Sequence, residues 1–429
     1  MNLLVQSTHG LRSAPKWEAV IVFFARTARI DHAWHIVGVG FVVSLLASGT
    51  RFATGPFMAS MMASFRMTHT QFSAVVAFSM LLYGFFMPVA GRLADLFGGR
   101  PVLLAGGVLL STALAVTART TSPVVFALAF ALVASLGFAA TSHVALASVI
   151  GRWFVKRRGL AMTFLSSGAM SGIAIMVPFS ASLIARIGWR GTMLVIAAVL
   201  LVVVLVGAVV MGGQPPQAAA AAGEKRPSPP DWRRALGTQP FWLMVLGFFT
   251  CGFSMNLLGT HGVPMLEDHG FSTMTAAFGV GLIGLVSVFG SLALGAASDR
   301  LGRPTFLALI YAVRGLGFIG LLFAGREWEL YAVGAIGGLV WSGSSALTSA
   351  ITADLFGAES VGTLFGLIFL SHQIGAAMGS YLGGWAFDAF GSYLVPFVIA
   401  AVLLFGAAYL SMRLPARSGA PGTSALAAD

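Results

Sequence analysis

Arg51, His143, His261, Arg314 and His372 lie inside long apolar runs of the sequence. An ionisable side chain at membrane depth is expensive, so each is a functional candidate from the outset. Arg51, in Ser48-Gly49-Thr50-Arg51-Phe52, offers a planar fork of donors that suits an anionic group. It also lies toward the end of its run, where an arginine reaches the interface by snorkelling. Anion contact is the favoured reading of the two. Histidine suits a proton relay, or stays neutral and bonds a neighbouring helix. His372, beside Gln373, is the best placed of the three, and His261 is close enough to a run's end to face water. Arg314 reads as structural. Carboxylates avoid the runs: Glu267, Asp268, Glu327, Glu329 and Asp388 fall off one side, Asp95, Asp299, Asp354 and Glu359 off the other.

The elements that position these residues follow from composition. The chain of 429 residues is 57% hydrophobic and 9% charged, against roughly 25% charged in soluble domains. Apolar stretches of membrane-crossing length fall near 34–57, 72–91, 101–118, 123–149, 160–185, 191–212, 240–263, 274–296, 304–323, 330–352, 361–386 and 393–412. The expectation is an all-α membrane protein of twelve spans. Its 53 glycines fit, because membrane helices use glycine to pack closely. Lys and Arg crowd one side: Lys16, Arg26, Arg92, Arg100, Arg152, Lys156 to Arg158, Lys225, Arg300, Arg303 and Arg413 among them. Positive loops stay inside, so both ends are expected in the cytoplasm, with the chain multi-pass in the inner membrane. The net charge of +11 is spread over short loops, which excludes a nucleic-acid partner. The single cysteine, Cys251, precludes an internal disulfide. No cleavable leader is read at the start. The Pro- and Ala-rich stretch 213–239 reads as a linker. It divides the chain into a lead-in (1–33), a first bundle of six (34–212), a second (240–412) and a tail (413–429).

Two loops repeat. Gly91-Arg92-Leu93-Ala94-Asp95-Leu96-Phe97-Gly98-Gly99-Arg100 follows the second span, and Gly295-Ala296-Ala297-Ser298-Asp299-Arg300-Leu301-Gly302-Arg303 follows the eighth, with Asp95 and Asp299 204 residues apart. In each, glycine permits helix approach and a tight turn, while the acid pairs with arginine or caps a helix. Gly91, Asp95, Arg100, Gly295, Asp299, Arg300 and Arg303 are therefore read as a conformational latch. These loops resemble the signature Gly-x-x-x-Asp-Arg-x-Gly-Arg of the major facilitator superfamily; the first copy departs from it at Leu96. The resemblance implies the major facilitator fold of two parallel six-helix bundles and a transporter working by alternating access.

Asp31-His32-Ala33-Trp34, and Trp153 to Ala161 with its Arg158-Gly159-Leu160-Ala161, are similar to the monocarboxylate-porter and oxalate–formate-exchanger branch. That branch's eighth-helix arginine is missing from Val286 to Ser291, and its eleventh-helix lysine is missing near Ser371-His372-Gln373. The drug exporters' Gly-Pro pair is missing from the fifth span. In this fold the first, fourth, seventh and tenth helices line the path. Those helices hold Arg51, His143, Asn256 and Trp341, and Tyr83 of the second span with His372 and Gln373 of the eleventh join them as expected substrate contacts, Trp341 stacking on a planar solute. The expected function is secondary active transport of a small organic anion such as a monocarboxylate. The alternatives are a neutral heterocycle importer, a drug or metabolite exporter, and a transporter-like solute sensor. With no carboxylate in mid-run, proton coupling has to use histidine or the substrate's own proton, or be absent. Neither a nucleotide loop nor a metal cluster is present, so no catalysis, cofactor or obligate protein partner is expected.

Overall fold

The computed structural model describes residues 16–142, 145–147, 150, 153–154, 158–212, 232–357 and 360–415, with the backbone alone at 16–31, 95, 158–159 and 291–301. Among these residues eleven helices are long and apolar enough to cross a membrane. The longest, Leu160–Val210, has 51 residues, far more than one crossing needs. Gly188 breaks it (φ 72°, ψ 166°). There Trp189 Nε1 donates to Ser64 Oγ at 2.8 Å, and Arg190 donates to the Ala118 and Thr120 carbonyls, each at 2.8 Å. Those contacts make the segment two spans, the fifth and sixth, joined by a turn. The remaining single-piece spans are the second (His69–Phe97), third (Gly99–Arg119), seventh (Gln239–Asp268), eighth (Thr273–Leu301), ninth (Arg303–Phe323), eleventh (Val361–Phe390) and twelfth (Leu394–Met412).

Three spans are interrupted. The first runs Lys16–Phe52, breaks at Ala53 and resumes as Thr54–Phe65. Its expected end near residue 57 is therefore early, because Gly55 and Pro56 continue the helix instead of closing it. The stop comes at Arg66, which adopts a left-handed φ of 53° and sends its N–H to the Met62 carbonyl. Arg51 thus moves from near an end to the interior. The fourth span passes from Pro123–Ala127 through a π-helical stretch, Leu128–Ala134, to Ser135–Ala140 and a turn at Thr141–Ser142. The tenth breaks at Trp341–Ser342 between Glu327–Val340 and Gly343–Phe356.

Lipid is as apolar as leucine, so helices associate through close packing and interhelical hydrogen bonds. The seventh and eleventh spans show how close. A methyl group added at Gly252 would lie 1.8 Å from the His372 carbonyl oxygen, and one at Gly375 would lie 2.0 Å from that of Phe249. Gly252→Ala is accordingly expected to destabilise the protein by about 1–3 kcal/mol. This would be read as a lower thermal midpoint in detergent. Gly317→Ala, where the methyl meets nothing within 4 Å, should leave the midpoint unchanged.

The two bundles meet mainly along the second and eleventh and the fifth and eighth spans. A methyl at Gly84 would lie 2.7 Å from Gln373 Cγ, and one at Gly284 2.6 Å from the Ala174 nitrogen. Nearer the arginine-rich face, methyls at Gly91, Gly362 and Gly366 would meet nothing within 4 Å. On the face opposite the arginines the halves meet closely, where a methyl at Gly384 would lie 2.3 Å from Ser73 Oγ.

Candidate functional site

Arg51 lies 14 residues before the end of its span, and Tyr83 stands 14 residues into the second, at its centre. The Arg51 guanidinium carbon sits 4.2 Å above the Tyr83 ring and 5.8 Å from that of Phe52. Among the described residues no carboxylate pairs with it. Cation–π contact contributes about 0.5–2 kcal/mol, while a centrally placed arginine costs at least about 2.5–3.5 kcal/mol in hydrocarbon. The rings alone do not offset the charge.

Across the closed interface, Gln373 packs on Gly84, the neighbour of Tyr83. It is fully buried and neither its Oε1 nor its Nε2 has a partner. His372 beside it is buried among Phe248 and Phe369, with Nδ1 unpartnered. Buried amides and imidazoles normally find hydrogen bonds, and these three atoms are left without one. Arg51, Tyr83 and Gln373 therefore form one band across both bundles. Asn256 is buried and spends its Nδ2 on the Gly252 carbonyl at 3.4 Å, one turn back in its own helix. His143 lies outside the described residues.

Trp341 departs from its expected part. The indole is 4% exposed and is occupied by Arg314, whose guanidinium carbon lies 4.9 Å from the ring centroid. No face remains free for a solute. His261 was expected to face water, and instead it is fully buried. Its Nε2 donates to the Ser380 carbonyl at 2.8 Å and lies 3.3 Å from Ser73 Oγ in the other bundle. A carbonyl only accepts, so Nε2 carries the proton, and the position of His261 is a seam between the halves.

Of the latch residues, Arg303 bonds Asp354 at 2.5 Å, a partner the sequence alone did not suggest. Arg100 is exposed, and a methyl at Gly91 meets nothing within 4 Å. The side chains of Asp95, Asp299 and Arg300, and the surroundings of Gly295, lie outside the described residues. Sequence reading also missed a contact on the opposite face. Asp388, at the end of the eleventh span, accepts from the backbone N–H groups of His69 (3.2 Å) and Thr70 (2.8 Å) and faces His69 Nδ1 at 3.0 Å. No local pattern links residues 319 apart in the chain.

A recess of about 650 Å³ between the third and sixth spans, bounded by Ser111, Arg119 and Leu194, lies within one bundle and shares no residue with the Arg51 band. Among the described residues no three of His, Cys, Asp and Glu assemble as a metal site.

Comparison with known proteins agrees with this architecture. The chain is 28% identical over 391 residues to an MFS-type transporter of Bacillus subtilis, YcxA, covering 87% of this chain and 92% of that one. It is 25% identical to monocarboxylate transporter 13 of Bos taurus (89% of each chain) and to monocarboxylate transporter 11 of Homo sapiens (89% and 83%). A solved bacterial homologue of the human lysosomal transporter Spinster, in an inward-facing occupied conformation, superposes with a TM-score of 0.68 at 18% identity over 89% of this chain and 96% of that one. The sequence profile of the Major Facilitator Superfamily matches residues 40–326 and 263–427. The chain therefore belongs to the Major Facilitator Superfamily of membrane transporters.

Proposed function

We propose that this transporter carries a small organic anion of the monocarboxylate class through the inner membrane by secondary active, alternating-access transport. The observation that carries the proposal is Arg51, held at membrane depth against Tyr83 with no carboxylate of the described residues to neutralise it. A substrate carboxylate supplies that neutralisation through charge-assisted hydrogen bonds, strongest where water is scarce. Gln373 from the second bundle offers a donor and an acceptor at the same level, so a bound solute bridges the halves. The names of the relatives, monocarboxylate transporters among them, support the same class. The arginine-rich loops favour both ends in the cytoplasm.

A neutral heterocycle is the competing substrate, favoured by the absence of an arginine from Val286 to Ser291 in the eighth span. Uptake into proteoliposomes separates the two. Labelled lactate, pyruvate and larger monocarboxylates are compared with neutral heterocycles, with and without an inward proton gradient. Saturable carboxylate uptake stimulated by the gradient is expected, with protons as the coupling ion. Saturable flux of a neutral compound with none of any carboxylate overturns the anion reading, and binding without flux of any compound points to a sensor.

A further inference from the structure

Arg314 in the ninth span is 1% exposed, and no carboxylate of the described residues pairs with it. Its donors go to the tenth span and the seventh. Nη2 donates to the Trp341 carbonyl and to Ser344 Oγ (3.4 Å), and Nη1 donates to Cys251 Sγ at 3.2 Å. These contacts fall on the break in the tenth span. The half-helix Glu327–Val340 ends in mid-membrane, where its last carbonyls lack the partners a continuous helix supplies. A cation at that C-terminal end answers both the open carbonyls and the negative end of the helix dipole.

The same helix grips the other end of the segment. Arg303 precedes Arg314 by 11 residues, three turns, so both lie on one face of the ninth span. Arg303 reaches Asp354 at 2.5 Å and the Ala350 carbonyl at 3.4 Å. Ser344 and Asp354, near the two ends of Gly343–Phe356, are spaced to match. The fourth span turns at Thr141–Ser142, 200 residues earlier and close to the period of the loop repeat. Among the described residues that turn is closed by local bonds, with the Thr141 hydroxyl donating to Gly137 O at 2.9 Å and the Ser142 N–H to Ala139 O at 3.3 Å. The break therefore belongs to both bundles, and among the described residues the arginine clasp is seen in the second.

We propose that Gly343–Phe356 is a gate arm carried by the ninth span as one body, with Arg314 the positioning residue at its fulcrum. The inference rests on alternating access but not on which solute is moved. Arg314 touches none of Arg51, Tyr83 and Gln373; besides the arm it reaches Cys251 of the seventh span.

Two measurements on the full chain test this. In nanodiscs, hydrogen exchange of the 343–356 amides is expected to rise about tenfold in Arg314→Gln and less in Arg314→Lys, with the second span unchanged. Unchanged exchange in both variants, or an equal rise throughout the protein, overturns the fulcrum. In proteoliposomes, Arg303→Cys/Asp354→Cys is joined by a short bifunctional maleimide in the presence of wild-type Arg314. The cross-linked protein is expected to keep the lactate or pyruvate uptake of its uncross-linked form, because the joined parts move together. Cross-linking that stops the uptake overturns the one-body arm. Arg314→Lys is expected to lower Vmax about tenfold at unchanged KM, since lysine cannot donate to the Trp341 carbonyl and Cys251 together; a raised KM at unchanged Vmax would place Arg314 in substrate binding instead. Should wild type take up no carboxylate of the panel, the substrate reading fails, while the exchange result still decides the fulcrum.

Discussion

Arg51→Ala is expected to lower Vmax/KM for the transported anion by about 30-fold or more, because truncating one partner of a desolvated, hydrogen-bonded charge pair costs about 2–5 kcal/mol. The estimate depends on depth. With 14 residues of helix between Arg51 and its span's outer end, about 20 Å at 1.5 Å per residue, a snorkelling side chain does not reach the interface. Arg51→Lys keeps the charge but loses the planar fork, and about a tenfold loss is expected. Tyr83→Phe keeps the ring that supports the guanidinium and should stay within a few fold of wild type. Initial-rate uptake by the three variants in proteoliposomes checks the series. If Arg51→Ala transports as well as wild type, the anion anchor is wrong and the cation serves packing alone.

Much of this architecture was legible in the sequence because hydropathy and loop repeats are local signals. The twelve spans follow from runs of about 20 apolar residues, and the paired loops around Asp95 and Asp299 assign two related bundles. Interruptions were harder to read. Nothing in Ser48 to Phe57 separates a span that ends from one that kinks at Ala53 and continues, since Gly55 and Pro56 occur in both. The expected end near 57 drew Arg51 toward the surface, and the real end at Phe65 puts it at depth.

Side-chain roles were legible only in part. The rule that ionisable groups in the membrane are functional candidates singled out Arg51, His372 and Arg314 alike, without showing what holds each of them. A cation needs an acceptor, and that of Arg314 is a main-chain carbonyl exposed by a helix break, which no residue type announces. The same ignorance made Trp341 a stacking platform, when its ring already covers Arg314. Interfaces between the halves were least legible, because they join residues such as His69 and Asp388 that only the folded bundles bring together.

Asp388→Ala is expected to shift the resting protein toward its outward-open form by about five- to thirtyfold, corresponding to about 1–2 kcal/mol. The argument is one of counting donors. The second span begins with a capping box in which Thr68 Oγ1 accepts from the Gln71 N–H and Gln71 Oε1 accepts from the Thr68 N–H. The next open donors, the N–H groups of His69 and Thr70, both go to the Asp388 carboxylate, at the positive end of the helix dipole. Asp388 belongs to the other bundle, so the cap is complete only while the halves meet on that face. A contact present in one state and absent from the other biases the equilibrium by its whole free energy. The His69 ring adds little, because both side chains are more than a quarter exposed, at 27% and 29%. The shift can be read from the rate at which a membrane-impermeant maleimide labels a cysteine at Ala77, one turn beyond Ser73 on the same side of the second span. Native Cys251, 1% exposed, is a quiet background. Asp388→Asn keeps one carbonyl oxygen for one of the two N–H groups and should accelerate labelling about half as far on a logarithmic scale. Equal labelling rates in all three proteins would mean that the cap orders the helix end without holding the halves together.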